Sequence, residues 1–169
     1  MIVTSRVSGA ADENVRLDRV HHIGINVSDL HRSIGFYRDL FGVDPLFVND
    51  MRGEGLATGA GLPEADLRFC MMKISNVVLE IIEWRTPNAK PALADGPHVG
   101  GFHIAFEVDD IDAVHRALQA RGIEFTAALH RFGEADEAPS IAGATFVYFK
   151  DPDGIGLEVY QKRSRYADY

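Results

Sequence analysis

The stretch that decides the fold of this chain occurs twice: His22–Leu30 (HIGINVSDL) is echoed by His103–Ile111 (HIAFEVDDI). Each copy begins with a His, carries a Val five positions later, and then an Asp and an aliphatic residue. Each is followed by an apolar run with a Glu at a similar distance, Glu80 at 58 residues and Glu158 at 55 residues from its His. A chain that repeats a His and a Glu in register is predicted to contain two copies of one module.

The composition is typical of a soluble protein that acts on a small molecule. The chain has 169 residues and a net charge of −8, which argues against nucleic acid and anionic membrane surfaces. Its single cysteine, Cys70, cannot form an intrachain disulfide and suits a reducing compartment. Met1–Arg16 has no apolar core typical of a signal peptide, and no run reaches the length of a membrane span. We therefore expect a cytoplasmic protein.

Hydrophobic periodicity predicts the same order of elements in both copies. Alternation indicates strands at Val20–Val27 and Gly101–Val108, and helical spacing follows each of them, over Leu30–Phe41 in the first copy. Two stretches rich in Gly, Pro and polar residues, Asn49–Ala65 and Leu129–Gly143, are predicted to be long loops. In the second copy a short strand is predicted at Ile123–Ala127, and the last strand at Ile155–Gln161.

Each module is therefore expected to be β-α-β-β-β. The predicted organisation is an N-terminal arm at 1–16, a first module at 17–85, a linker at 86–100, a second module at 101–161 and a C-terminal tail at 162–169.

Strand alternation places each repeated His and Glu on the sheet face opposite its apolar neighbours. A carboxylate in such a strand is costly to bury unless it is paired or bound to a metal. A lone His or Glu is ordinarily a solvated residue, but the recurrence of four in register favours a divalent metal site. Imidazole and carboxylate ligands suit Zn, Ni, Mn, Co or Fe(II). The predicted ligands are His22, Glu80, His103 and Glu158. His21 has the opposite parity and is interpreted as structural, and Glu83 as a solvated or edge residue.

Several stretches of this chain together resemble the vicinal oxygen chelate superfamily, which includes glyoxalase I, methylmalonyl-CoA epimerase, extradiol dioxygenases and bleomycin-resistance proteins. The resemblance covers about Leu17–Gln161, and its motifs are His22–Val27, Ser33–Gly42, Leu79–Glu83, Phe102–Val108 and Asp151–Gly154 leading to Glu158. It implies an α+β fold in which two β-α-β-β-β modules form a cupped mixed sheet around one divalent metal. It also implies a homodimer, with the site built within one chain or across two.

The four-ligand set, with Glu at position 80, is most similar to the glyoxalase I-like and epimerase-like members. This implies a metal-dependent lyase or isomerase that transfers a proton next to a carbonyl of a small oxygenated metabolite, with Glu158 as the base. Arg68 stands where epimerases carry a Glu base and is expected to hold an anionic group of the substrate. The segment from Trp84 to Pro87 does not match the corresponding link of glyoxalase I, so glutathione recognition is unsupported.

An aromatic-lined cup would suit a partly apolar substrate. The residues expected on its inner face besides the ligands are Asn26, Met72, Trp84, Phe146, Tyr148 and Tyr160.

Two other activities fit the same fold. The first is an Fe(II) or Mn(II) dioxygenase of the extradiol type; Val147-Tyr148 matches its signature, but Ser140 or a neighbour stands where the acid–base His should be. The second is a metal-free protein of the bleomycin-resistance type that sequesters a ligand, and retention of all four ligands argues against it.

Overall fold

The computed structural model describes residues 19–91, 99–133, 136 and 141–162. The predicted N-terminal arm, the centre of the linker and nearly all of the C-terminal tail lie outside these ranges. The elements in chain order are β1 (Ile23–Asn26), α1 (Leu30–Phe41), β2 (Phe47–Arg52), α2 (Glu54–Ala60), β3 (Asp66–Ile74), β4 (Val77–Thr86), β5 (His103–Glu107), α3 (Ile111–Ala120), β6 (His130–Arg131), β7 (Thr145–Lys150) and β8 (Gly156–Gln161). Among the described helices, none is long and apolar enough to cross a membrane.

The eight strands form two mixed four-stranded sheets with the same order, β1-β4-β3-β2 and β5-β8-β7-β6. In each sheet the first strand runs parallel to the last strand of its module, and the remaining pairs are antiparallel. The register is also repeated, since Gly24 lies opposite Glu80 in one sheet and Ala105 lies opposite Glu158 in the other. The predicted α+β class is confirmed, and the sequence repeat is a structural repeat.

Equivalent contacts fix the start of the long helix in each module. Asp29 caps α1 by accepting the Arg32 N–H at 3.0 Å, and Asp110 caps α3 in the same way at Ala113. The first residue of each helix then donates its N–H to a side chain of the last strand, Leu30 to Glu83 at 2.8 Å and Ile111 to Gln161 at 3.0 Å. Glu83, interpreted from sequence as a solvated or edge residue, instead holds α1 against its sheet.

The two modules contact each other on their helix-covered sides. The Tyr37 hydroxyl of α1 donates a buried hydrogen bond of 3.1 Å to the Asp151 carboxylate in the turn before β8. Arg32 pairs with Asp153 of the same turn at 2.8 Å. Phe41 packs on Phe106, with ring centroids 4.7 Å apart. Since these contacts use α1 and the helix-side face of β5, the faces that carry the repeated His and Glu point away from this junction.

Two regions differ from the sequence prediction. The stretch at 49–65, expected to be a loop, contains the end of β2 and the whole of α2. Glycines in the left-handed region bound that helix, Gly53 at φ 103° and Gly61 at φ 68°, so a glycine-rich composition concealed a short helix. In the second module the short strand predicted at 123–127 forms only an isolated bridge from Phe125 to Phe149. The edge strand that pairs with β7 is instead β6, which lies inside the stretch expected to be a loop.

Candidate metal centre

The first half-site, defined as His22 and Glu80, lies on the first sheet. His22 immediately precedes β1, and Glu80 projects from the neighbouring strand β4. The parallel register brings the two side chains together, with His22 Nε2 at 3.2 Å from Glu80 Oε2. Both are partly exposed, so this pair is accessible to an ion from solution.

The second half-site, defined as His103 and Glu158, occupies the equivalent place on the second sheet. His103 Nε2 lies 2.9 Å from Glu158 Oε2, and the Glu158 carboxylate is buried. Tyr148 lies opposite Glu158 in the register, with its ring edge-on to His103 at 5.3 Å. Burial, the negative charge of Glu158 and a hydrogen bond to that carboxylate raise the pKa of the Tyr148 hydroxyl, so it stays a proton donor to Glu158.

The spacing of the atoms in both pairs suits ligation of a single ion. In octahedral coordination, two neighbouring ligand atoms about 2.0–2.2 Å from a metal stand at right angles and are about 3.0 Å apart. The observed separations, 3.2 Å and 2.9 Å, lie on either side of this value. Nitrogen and carboxylate oxygen donors suit the divalent metals expected from the sequence. Each half-site therefore fits two neighbouring positions of one metal.

The structure does not bring the four predicted ligands together within one chain. Among the residues that it describes, no three His, Cys, Asp or Glu side chains form a cluster that could hold a metal. The two half-sites lie on different sheets, and the modules join on the opposite faces of those sheets. Each half-site alone supplies two ligands, whereas protein metal sites ordinarily use three or four.

A cavity lies over each half-site. The first, of about 460 Å³, contains Glu80 under the short helix α2 and is otherwise mainly apolar; it is lined by Met51, Gly55, Leu56, Gly59, Ala60, Leu67, Phe69, Glu80, Ile82 and Trp84. The second, of about 430 Å³, contains Glu158 among aromatic rings and is lined by Ala105, Glu107, Phe132, Ile141, Phe146, Tyr148, Glu158, Tyr160 and Lys162. Trp84 and Tyr148 thus line cavities as expected, and Asn26 accepts a hydrogen bond of 3.0 Å from Trp84 Nε1.

Arg68 and Met72 do not lie where the sequence analysis placed them. Arg68 is opposite Glu83 in the register of β3 and β4, so it lies on the other face of the sheet from Glu80, 3.9 Å from Asp50. Met72 is fully buried on that same helix-covered face. The expectation that Arg68 lines the cavity beside the metal ligands is corrected.

Two contacts near the half-sites were missed from the sequence. Lys162 lines the second cavity and pairs with Glu107 at 2.9 Å. The alternation of Glu158 and Tyr160, continued to the first residue beyond the predicted strand end, would have placed Lys162 on this face. His21 Nδ1 lies 2.8 Å from His22 Nδ1, and the adjacency of two His residues was the available signal.

The repeated module, with one His–Glu pair on each sheet, can now be compared with known protein families. The model of the Glyoxalase/Bleomycin resistance protein/Dioxygenase superfamily matches residues 19–159, and the chain belongs to that family. It is similar to a 2-epi-5-epi-valiolone epimerase from Actinomyces, with 29% identity over 147 residues that cover 83% of this chain and 77% of the relative. It is also similar to a probable lactoylglutathione lyase of Vibrio parahaemolyticus, with 30% identity over 88% of this chain and 94% of the relative.

The fold is similar to that of a glyoxalase family protein from Bacillus cereus. The crystal structure of that protein aligns with a TM-score of 0.72 and 20% sequence identity, covering 90% of this chain and 99% of the other.

Proposed function

We propose that this protein is a divalent-metal-dependent lyase or isomerase that moves a proton next to a carbonyl of a small oxygenated metabolite. The observation that carries the proposal is the pair of His–Glu half-sites, equivalent in register and each spaced for one metal. The epimerase and lyase names of two relatives support this reaction class. Zn, Ni, Mn, Co and Fe(II) all accept this ligand set.

The position of the His residues indicates how a complete site would assemble. β1 and β5 are the outermost strands of their sheets, and each carries its His at or just before its start. Placing β1 of one chain beside β5 of a second copy would bring His22 and Glu80 next to His103 and Glu158 of that copy. The two cavities would then face each other. We infer a homodimer with two such sites, because a two-fold pair makes each contact twice.

Within this site Glu158 is the proposed base and the other three ligands hold the ion. The ligands would hold a divalent cation whose Lewis acidity would stabilise negative charge on the substrate carbonyl oxygen, while Glu158 would take the proton from the adjacent carbon. Glu158 is buried and receives a hydrogen bond from Tyr148, which holds the carboxylate in a fixed orientation. The apolar and aromatic walls of the cavities would exclude water from the remainder of the substrate.

Two inactive variants should complement each other if the site spans two chains. His22→Ala removes a ligand of the first half-site and His103→Ala a ligand of the second. A mixed dimer of the two variants holds one site with both defects and one intact site. After co-expression and random pairing, metal binding should recover to about a quarter of the wild-type stoichiometry.

The control is a mixture of His22→Ala with Glu80→Ala, which removes the oxygen ligand altogether. Both of these changes lie in the first half-site, so every site of a mixed dimer stays defective and no recovery is expected. Recovery in neither mixture would exclude a site shared between chains.

The reaction class is tested by hydrogen exchange in D₂O. The metal-loaded protein is incubated with a panel of small α-hydroxyketones and 2-oxo compounds, and deuterium next to the carbonyl is followed by NMR. Exchange that requires both metal and Glu158 is expected. Failure of the wild-type protein to bind any of the five metals would overturn the proposal, and oxygen consumption with catechols on iron would replace it with the dioxygenase alternative.

A further inference from the structure

His21 contacts the predicted metal ligand His22 through a specific pair of atoms. The two Nδ1 atoms are 2.8 Å apart, and the rings meet edge to face with centroids separated by 5.1 Å. His22 therefore uses both ring nitrogens: Nδ1 faces His21, and Nε2 faces Glu80 at 3.2 Å.

The chemistry of imidazole makes this arrangement directional. A neutral ring carries hydrogen on one nitrogen and a lone pair on the other, and only the nitrogen with the lone pair can bind a metal. If Nε2 of His22 is the ligand, its Nδ1 carries the hydrogen and needs an acceptor. Metal-bound His residues regularly donate this second N–H to a fixed acceptor, which sets the tautomer and the ring orientation.

We propose that His21 is a positioning residue that accepts the Nδ1 hydrogen of His22. Nε2 of His22 then carries no hydrogen, and its lone pair can bind the metal. This inference rests on the proposed function, because it concerns one ligand of the proposed site. It also replaces the interpretation of His21 as a structural residue. That interpretation used only the direction of the side chain from the strand and did not consider a hydrogen-bond acceptor for His22 Nδ1.

The second module provides an internal comparison. Phe102 is the structural counterpart of His21, immediately before His103, and it has no nitrogen that could accept a hydrogen bond. It is also 54% exposed, so its substitution should not disturb the core. His103 instead has the Tyr148 ring against its edge. Only the first half-site of the described chain thus has a His beside its His ligand.

The test measures affinity for Zn²⁺ and Co²⁺ at constant pH by competition with a chelator. His21→Phe, which gives the first module the residue of the second, should weaken binding about 10- to 100-fold. His21→Gln should restore most of the affinity, because its amide oxygen can accept the same hydrogen. Phe102→Leu is the matched control on the second module and should leave affinity unchanged.

A second readout follows the ring itself. Long-range ¹H–¹⁵N NMR of the Zn²⁺-loaded protein should show His22 with hydrogen on Nδ1 in the wild type and in His21→Gln. Wild-type affinity in His21→Phe would overturn the inference, as would equal losses in His21→Phe and His21→Gln, which would indicate that His21 is itself a ligand. Metal binding by the wild-type protein and by His22→Ala tests the proposed function separately. If the wild-type protein binds no metal, or if His22→Ala binds it fully, the proposed function is wrong and the inference about His21 falls with it.

Discussion

The two half-sites have the same backbone register but different surroundings. In the first, 22% of the Glu80 side chain is exposed and the ring of His22 contacts a second His. In the second, 8% of the Glu158 side chain is exposed and an aromatic cavity with Tyr148 surrounds it. The repeated strands position equivalent ligands, while the neighbouring side chains make those ligands unequal. We expect the buried, hydrogen-bonded carboxylate to perform the proton transfer and the exposed one to hold the ion.

The largest effect expected from this inequality is on turnover. Glu158→Gln should lower the rate of exchange in D₂O by about 10²- to 10⁴-fold, the usual contribution of a general base. Glu80→Gln keeps an oxygen ligand and should lower the rate much less. Both variants are measured at saturating metal, so that loss of affinity does not contribute. Equal rates for the two variants, or a larger loss in Glu80→Gln, would contradict the assignment of the base.

The helix contacts of the two modules should also differ in strength. Glu83→Ala removes a carboxylate that accepts the Leu30 N–H at the positive end of α1 and should cost about 2 kcal/mol of unfolding free energy. Gln161→Ala removes a neutral acceptor of the Ile111 N–H and should cost about 1 kcal/mol. Urea denaturation of both variants, with circular dichroism as the probe, measures the difference. Equal costs would show that the charge of Glu83 contributes nothing at this helix end.

The smallest effect concerns the junction between the modules. Burial raises the pKa of the Asp151 carboxyl above its ordinary value, although Tyr37 and two backbone N–H groups stabilise the carboxylate. The favourable contribution of this group to stability is therefore complete below its ordinary pKa and is lost as pH rises through the raised value of the folded state.

Asp151→Asn removes the charge; its amide oxygen can accept the two backbone N–H groups while its amide N–H donates to the Tyr37 oxygen, and at pH 4 it should lie within about 1 kcal/mol of the wild type. As pH rises to 7, the variant should gain stability relative to the wild type. Denaturation midpoints at intervals between these values test this expectation. Parallel curves for the two proteins would show that Asp151 does not titrate differently in the folded and unfolded chains.

Local periodicity predicted much of the fold because each strand at the half-sites has one apolar face. The helix at 30–41 was confirmed to the residue, and the alternation of β1 and β4 gave the correct face for Asn26 and Trp84. The same reasoning failed in β3, where Leu67 and Phe69 face one side, and Cys70 and Met72 face the other. A strand that is apolar on both faces gives no alternation from which to assign sides.

The predictions that failed elsewhere share a physical cause. Composition cannot distinguish a loop from a short helix whose ends are glycines in the left-handed region, as in α2. It also cannot show which short segment pairs with β7, since that pairing depends on the neighbouring strand. The role of Glu83 was missed for a similar reason, because its partner Leu30 is 53 residues away in the chain.

The sequence by itself determined the repeated module, its class of fold and the four residues proposed as metal ligands, because these depend on residue type, spacing and strand period. Only the tertiary structure decided that the His–Glu pairs lie apart on two sheets, that Arg68 is on the wrong face to accompany them, and that His21 contacts His22. The physical reason is that the modules are joined by long-range packing of α1 on the second module, through Tyr37 with Asp151 and Phe41 with Phe106. No local pattern encodes which faces of two similar modules will meet.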